Sequence, residues 1–175
     1  MEKPIANTIN AGCYVFNPSV VKSMPRDRVM SVERETFPGL INNHGKVWGF
    51  IDRSYWLDIG TPRALLQGSR DLVTGLADGS ALRMADVALH NEHSLIMRSA
   101  TVDASAIIDK GSCIGAGAGI GAGAHISGSI IDSGAVVGKG AVIIDSFIAS
   151  ASHVSENAYI SASFVTKDEI LSIPA

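Results

Sequence analysis

Aliphatic side chains in the second half of the chain recur at a fixed interval of six residues. Val102, Ile108, Ile114, Ile120 and Ile126 form an unbroken ladder. One residue is then lost and the ladder resumes at Ile131, Val137 and Ile143; after a second loss it continues through Ile148, Val154 and Ile160. An α-helix returns to one face about every 3.6 residues, so a six-residue spacing sends successive aliphatics to drifting angles and excludes a helical core face. The ten glycines after residue 100 add to that exclusion, since each costs a helix about 0.8–1 kcal/mol relative to Ala. The spacing fits instead a chain wound into triangular coils, each hexapeptide giving one short flat strand and one corner, with its aliphatic pointing inward. Gly115, Gly121 and Gly138 directly follow ladder aliphatics, where a side chain would crowd the corner or oppose a positive φ. The two lost residues read as corners shortened without loss of the inward register.

The first hundred residues follow other periods. Residues 11–16 alternate in size as a strand does, and residues 18–23 read as a short helix. Ser31 is placed to cap a helix over residues 32–42, with Glu33 and Glu35 in its first turns, where the helix dipole favours carboxylates. Residues 46–52 read as a strand and residues 55–59 as a second extended piece. Thr61 followed by Pro62 is an N-cap with proline at the first helical position; it opens a helix carrying Leu65, Leu66, Leu72 and Val73 that ends near Gly75. This half is α/β in pattern. Residues 76–100 read as a linker or a first imperfect coil, 101–165 as the coiled part and 166–175 as a C-terminal tail.

Composition changes where the period changes. Seven of the ten aromatics and five of the six prolines precede residue 101, whereas ten of the eighteen glycines follow it. The formal charge of −3 removes the electrostatic basis for generic nucleic-acid binding. No apolar run approaches the ~18–20 residues of a membrane span, and the opening Met1-Glu2-Lys3-Pro4 lacks the order of a signal peptide, so a cytoplasmic protein is expected. Cys13 and Cys113 have no zinc-ligand spacing and read as two small buried thiols. The run from Gly115 to Gly123 contains no Gly-x-Gly-x-x-Gly, and residues 134–140 fall one residue short of a P-loop, so both read as repeat structure. His44, His90, His93, His125 and His153 share no metal spacing beyond an unremarkable His90-x-x-His93.

The hexapeptide lattice resembles the left-handed parallel β-helix of hexapeptide-repeat proteins. At about 18 residues per coil, residues 102–160 give a little over three coils, close to the minimum for a self-supporting stack. Motifs of the first half carry a second resemblance. They are Glu2-Lys3-Pro4, then Asn10-Ala11-Gly12-Cys13-Tyr14-Val15-Phe16, then Ser31-x-Glu33-x-Glu35-x-Phe37-Pro38, and finally Tyr55-Trp56-Leu57-Asp58-Ile59-Gly60-Thr61-Pro62. In this order and spacing they resemble the sugar-1-phosphate nucleotidyltransferases, above all the mannose-1-phosphate guanylyltransferase branch, many members of which end in a hexapeptide β-helix. The segment around Asp58 is the most specific of these motifs.

The resemblance implies that residues 1–75 are the C-terminal part of a nucleotidyltransferase catalytic domain, followed by a left-handed β-helix. It implies a reaction in which a sugar 1-phosphate attacks the α-phosphorus of a nucleoside triphosphate and pyrophosphate leaves, with Mg²⁺ as cofactor. It further implies that Asp58 is a metal ligand, that Glu2 accepts hydrogen bonds from sugar hydroxyls, that Lys3 meets the sugar phosphate and that Asn10 and Gly12 line the sugar pocket, with Glu33 pointing toward it. Each residue also has a plainer reading: Asp58 as a turn cap, Asn10 and Gly12 as strand-edge residues, Glu2 and Lys3 as a frayed terminus. In the family a Gly-x-Gly-x-Arg-x-x-Pro loop and a second metal-binding Asp precede the Glu-Lys-Pro motif. Neither occurs in these 175 residues, so the chain alone is expected to be inactive. Two other functions are weighed beside this one. One is an oligomerisation or regulatory β-helix module, in line with an expected homo-oligomer built through the β-helix. The other is a hexapeptide-repeat acyltransferase using His125 or His153 as general base.

Overall fold

The six-residue lattice becomes three stacks of inward-pointing side chains. The computed structural model describes residues 8–78, 87–90 and 93–174, and the chain divides into two units, Met1–Trp56 and Leu57–Ala175. No helix among the described residues is long and apolar enough to cross a membrane.

In the first unit Asn17 caps helix α1 (Pro18–Ser23), its side-chain oxygen accepting from the Ser19 amide, and Pro18 occupies the first turn. The helix expected over residues 32–42 is two pieces: a π-helical turn, Val32–Thr36, running into α2 (Phe37–Asn42). Ser31 caps the turn as expected, its hydroxyl accepting from the Arg34 amide at 3.2 Å. Pro38 explains the break. It has no N–H to give the carbonyl four residues back, so the turn before it widens and the Phe37 amide reaches back to the Val32 carbonyl. The strands expected at residues 11–16 and 46–52 are absent, and residues 55–59 join no ladder either. β-branched and aromatic residues make a strand only where an edge receives them. Among the described residues none does, and Val15, Trp48 and Phe50 are almost fully exposed. For the same reason Cys13, expected to be buried, stands exposed, and Cys113 is only partly covered.

The second unit begins with α3 (Pro62–Val73), capped by Thr61, whose hydroxyl accepts from the Ala64 amide at 3.1 Å. Fifteen strands follow among the described residues: β1 (Val87–His90), β2 (Ser94–Met97), β3 (Thr101–Val102), β4 (Ile107–Asp109), β5 (Ser112–Ile114), β6 (Gly119–Ile120) and β7 (His125–Ser127). The series continues with β8 (Ile130–Ile131), β9 (Val136–Val137), β10 (Val142–Ile144), β11 (Phe147–Ile148), β12 (His153–Val154), β13 (Tyr159–Ser161), β14 (Ser163–Val165) and β15 (Ile170–Ser172). They form three sheets, ordered β1-β2-β5-β8-β11-β14-β15, β3-β6-β9-β12 and β4-β7-β10-β13, wound as a parallel β-solenoid of about four turns, consistent with a left-handed β-helix. The first coil starts at Ser94, so the last part of the segment expected as linker is the imperfect-coil alternative. That raises the coil number from the little over three expected to about four. The expected tail contains β15, antiparallel to β14.

Every ladder residue read from the sequence falls in register. Ile114, Ile131 and Ile148 stack in one sheet with Ile96 and Val165 at either end. Val102, Ile120, Val137 and Val154 stack in the second. Ile108, Ile126, Ile143 and Ile160 stack in the third. Their inner members and the corner alanines Ala118, Ala124, Ala135 and Ala141 form the buried core. Both shortened corners lie where the third sheet passes to the first, and a third such shortening separates Ile160 from Val165. The glycines after ladder residues are required by close approach, not by φ: a Cβ on Gly115 would sit 2.7 Å from the Ser133 amide of the next coil.

At the shortened corners runs a column of serines. Ser112, Ser129 and Ser146 are buried, and each hydroxyl accepts the amide of the serine one coil on: Ser129 N–H to Ser112 Oγ at 3.1 Å, Ser146 N–H to Ser129 Oγ at 3.0 Å and Ser163 N–H to Ser146 Oγ at 3.1 Å. The same hydroxyls donate to carbonyls of their own corner, Ser129 Oγ to the Ser127 carbonyl at 2.8 Å for example. A tight turn takes these amides out of the sheet ladders, and the hydroxyls replace the lost acceptors. α3 packs on the same solenoid. Its Ser69 hydroxyl lies 3.1 Å from Cys113 Sγ, and Arg70 Nη2 donates to the Gly128 carbonyl at 3.0 Å and to Asp145 at 2.7 Å. Gly111 admits this packing, because a Cβ there would meet the Arg70 Cγ at 2.7 Å.

Candidate functional site

Asn10, Gly12 and Glu33, singled out in the sequence, come together in the first unit. Asn10 Oδ1 accepts the Gly12 amide at 3.0 Å, closing an Asx-type turn in which Gly12 takes φ +73°. Asn10 Nδ2 then donates to Glu33 Oε1 at 3.1 Å. The sequence reading missed the fourth member. Tyr14 donates its hydroxyl to the same Glu33 oxygen at 2.6 Å, and it also receives a hydrogen bond from Asn10 Nδ2. The hydrogen bond to Glu33 is the main cause of a Tyr14 pKa above the ordinary phenol value. No local signal in the sequence marks Tyr14, because Tyr14 and Glu33 are nineteen residues apart and meet only in the folded unit.

The π-helical turn aims Glu33. Ser31 holds its start, and the Glu35 carboxylate returns to accept the Ser31 amide at 3.2 Å while pairing with Arg28 at 2.7 Å. Arg28 holds the Glu35 carboxyl below its usual pKa. Beneath them the Tyr14 ring meets Phe37 edge-on with centroids 5.1 Å apart, and Phe16 stacks on Phe37 at 5.7 Å. Glu33 thus has one carboxylate oxygen fixed by two donors. Its other oxygen makes no hydrogen bond among the described residues, which leaves a directed acceptor of the kind a sugar hydroxyl or an amine would meet.

Asp58 lies in the second unit, two residues before Gly60, which its carboxylate oxygen Oδ1 overlies: a Cβ built on Gly60 would be 3.6 Å from that oxygen. The side chain is exposed and makes no hydrogen bond or ion pair among the described residues. No group of three or more His, Cys, Asp or Glu side chains suited to a metal occurs among the described residues. A lone open carboxylate still fits Mg²⁺, which commonly takes one or two protein carboxylates and completes its shell with water and substrate phosphates. Glu2 and Lys3 lie outside the described residues.

Of the two histidines weighed for acyl transfer, His125 has an acidic neighbour, its Nε2 lying 3.1 Å from Asp109 Oδ2. Burial pushes the Asp109 pKa up, but the Ser127 hydroxyl and His125 beside it outweigh this and hold it below the ordinary value. His153 stands exposed on β12, where no acidic partner meets it among the described residues.

Residues 1–75 match the family described as nucleotidyl transferase, and residues 90–171 match the family described as the GMPPB C-terminal domain. A mannose-1-phosphate guanylyltransferase of Mycobacterium tuberculosis is 49% identical over 83 residues, which is 47% of this chain and 23% of that protein. The mannose-1-phosphate guanyltransferases of Neurospora crassa and Debaryomyces hansenii are 35% and 33% identical over 108 and 106 residues, in each case 58% of this chain and 29% of the relative. The matched part is therefore about a quarter of the length of these curated relatives. The two matches, to a nucleotidyl transferase over residues 1–75 and then to a GMPPB C-terminal domain over residues 90–171, place this chain as a C-terminal portion of the sugar-1-phosphate nucleotidyltransferase family.

Proposed function

We propose that this chain supplies the sugar-phosphate side of a nucleotidyl transfer that makes an NDP-sugar, with GDP-mannose the favoured product, from a sugar 1-phosphate and a nucleoside triphosphate. The observation that carries the reading is the Glu33 carboxylate, fixed at one oxygen by Tyr14 and Asn10 and open at the other. The names of the relatives support the sugar and the base.

The transfer needs no covalent intermediate on the protein. A phosphate oxygen of the sugar 1-phosphate attacks the α-phosphorus, and pyrophosphate departs. The protein contributes alignment and compensation of charge. Glu33 would take a sugar hydroxyl on its free oxygen, and the left-handed turn at Gly12 would let the ring approach the backbone without meeting a Cβ. Glu2 would take a second hydroxyl and Lys3 the phosphate. Asp58 would hold Mg²⁺, which when bound supplies neutralisation of the phosphate oxygens.

Calorimetric titration of the chain with mannose 1-phosphate and, separately, with GTP tests this. Saturable mannose 1-phosphate binding, weakened about tenfold or more by Glu33→Gln, is the expected result, since a hydrogen bond to a charged acceptor is worth about 1.5–3 kcal/mol. Tight GTP binding without sugar-phosphate binding would overturn the division of labour. The Asp109 contact favours a second reading, acyl transfer with His125 as base. Acetyl-CoA turnover lost in His125→Ala would establish it, but that reading leaves the Asp58 segment without a role.

A further inference from the structure

One face of α3 borders a groove that the sugar-phosphate chemistry does not use. It encloses about 300 Å³ and is lined by Arg63, Gln67 and Arg70 from the helix, by Asp145 from a solenoid corner, and by Ile173 from the chain end. The three helix residues are spaced i, i+4 and i+7 and therefore share one stripe. Among the described residues Arg70 uses one guanidinium nitrogen on the fold: Nη2 bonds the Gly128 carbonyl and Asp145, while its buried Nε has no partner there. A buried guanidinium N–H left without an acceptor is costly, so a small turn of the Arg70 side chain toward an acceptor in the groove would relieve it. The groove sets two guanidinium groups against one carboxylate, in a chain whose formal charge is −3.

We propose that this groove is an anion site that takes a phosphate group, either free or as a small phosphomonoester. A guanidinium presents paired N–H donors at the spacing of two phosphate oxygens, and two of them on one helix stripe can hold the same group. Leu66 and Ile173, 5% and 8% exposed, give the groove an apolar floor that strengthens these bonds by excluding water. The volume lies at the small end of ligand pockets, which suits phosphate with at most a few carbon atoms attached. Asp145 is the built-in competitor, because it holds the Arg70 nitrogen that an incoming phosphate would share. A ligand here would bridge α3 to the solenoid.

Titration of the whole chain with inorganic phosphate, followed by calorimetry and by thermal shift, tests the site, with glycerol 3-phosphate as the second arm. Saturable binding that raises the melting temperature is expected. Arg63→Ala, at an exposed first-turn position, should weaken binding about tenfold or more, the loss of one charge-assisted contact. Asp145→Asn should tighten it, since asparagine keeps the shape and tolerates the φ of +46° at this position while removing the competing charge. Tighter binding of glycerol 3-phosphate than of phosphate identifies an ester as the ligand class, and the reverse order identifies the free ion. Absence of saturation up to about 20 mM phosphate, a range that still detects weak millimolar sites, overturns the proposal. So do Arg63→Ala and Asp145→Asn proteins that bind as the wild type does. Because neither substitution touches Glu33 or Asp58, failure here leaves the nucleotidyl-transfer reading standing, and failure of Glu33→Gln to affect mannose 1-phosphate leaves this one standing.

Discussion

Ser129 and Ser152 are both buried serines in solenoid corners, and the structure gives them opposite energetic roles. Ser129 Oγ accepts the Ser146 amide and donates to the Ser127 carbonyl, so Ser129→Ala strands a buried N–H and should cost about 1–3 kcal/mol in chemical denaturation. Ser152 occupies the corner position filled by Ala118 and Ala135 in earlier coils, is 1% exposed, and its hydroxyl has no partner among the described residues. Ser152→Ala should therefore leave stability unchanged or raise it; destabilisation equal to that of Ser129→Ala would refute the distinction. The 17-residue recurrence of Ser112, Ser129, Ser146 and Ser163 was present in the sequence. It went unread because aliphatic periodicity reports which side chains face inward, and says nothing of where a turning backbone finds acceptors. Tyr14 was missed for a related reason. It reads as one more aromatic in an alternating stretch, and only the fold brings its hydroxyl to Glu33 from nineteen residues away.

Elements differed in legibility according to what stabilises them. α1 and α3 were readable because their caps and prolines act within one turn, and both begin and end as expected. The strands expected at residues 11–16 and 46–52 depend on neighbours that local sequence does not supply. The solenoid strands are just as short, yet they were legible because the repeat itself provides the neighbour. Asp109 on β4 allows an element-scale test of electrostatics. Its folded pKa is depressed below the ordinary 3.8, so its contribution to stability is present above that value and is lost as pH falls through the lower folded pKa. Asp109→Asn should accordingly lower the melting temperature at neutral pH and converge with the wild type only in acid, once the pH has fallen through the depressed folded pKa. A difference that persists unchanged into acid would show that the site stabilises by packing rather than by charge.

At the scale of the whole molecule, two units with different bonding economies share one chain. In the solenoid, backbone amides are committed to parallel ladders around a column of buried aliphatics; in the first unit, residues 46–52 make no ladder and Trp48 and Phe50 stand 89% and 92% exposed. Hydrogen exchange should resolve the two. Amides of residues 46–52 should exchange without measurable protection, while those of Ile126 and Ile143 should exchange only through opening of the solenoid. Equal protection across both would mean that the extended segments have found strand partners in solution. The motif set and the repeat together identified the family from the sequence, because each is carried by short-range spacing. The arrangement of α3 on the solenoid was not legible, since Arg70, Gly128 and Asp145 are far apart in the chain and meet only when the coils have formed.

The strands at the two ends of the first sheet run against the others: β1 is antiparallel to β2, and β15 to β14. A wound stack with three free faces at each end could add copy upon copy along its axis, each extending the parallel register of the last. Here a reversed strand closes that register on one face at both ends, and the edges left on the other two faces are strands of two or three residues. Such edges offer a newcomer too few hydrogen bonds to repay its ordering. Among the described residues, the repeat that makes the solenoid easy to build thus leaves little edge along which a second copy could extend it.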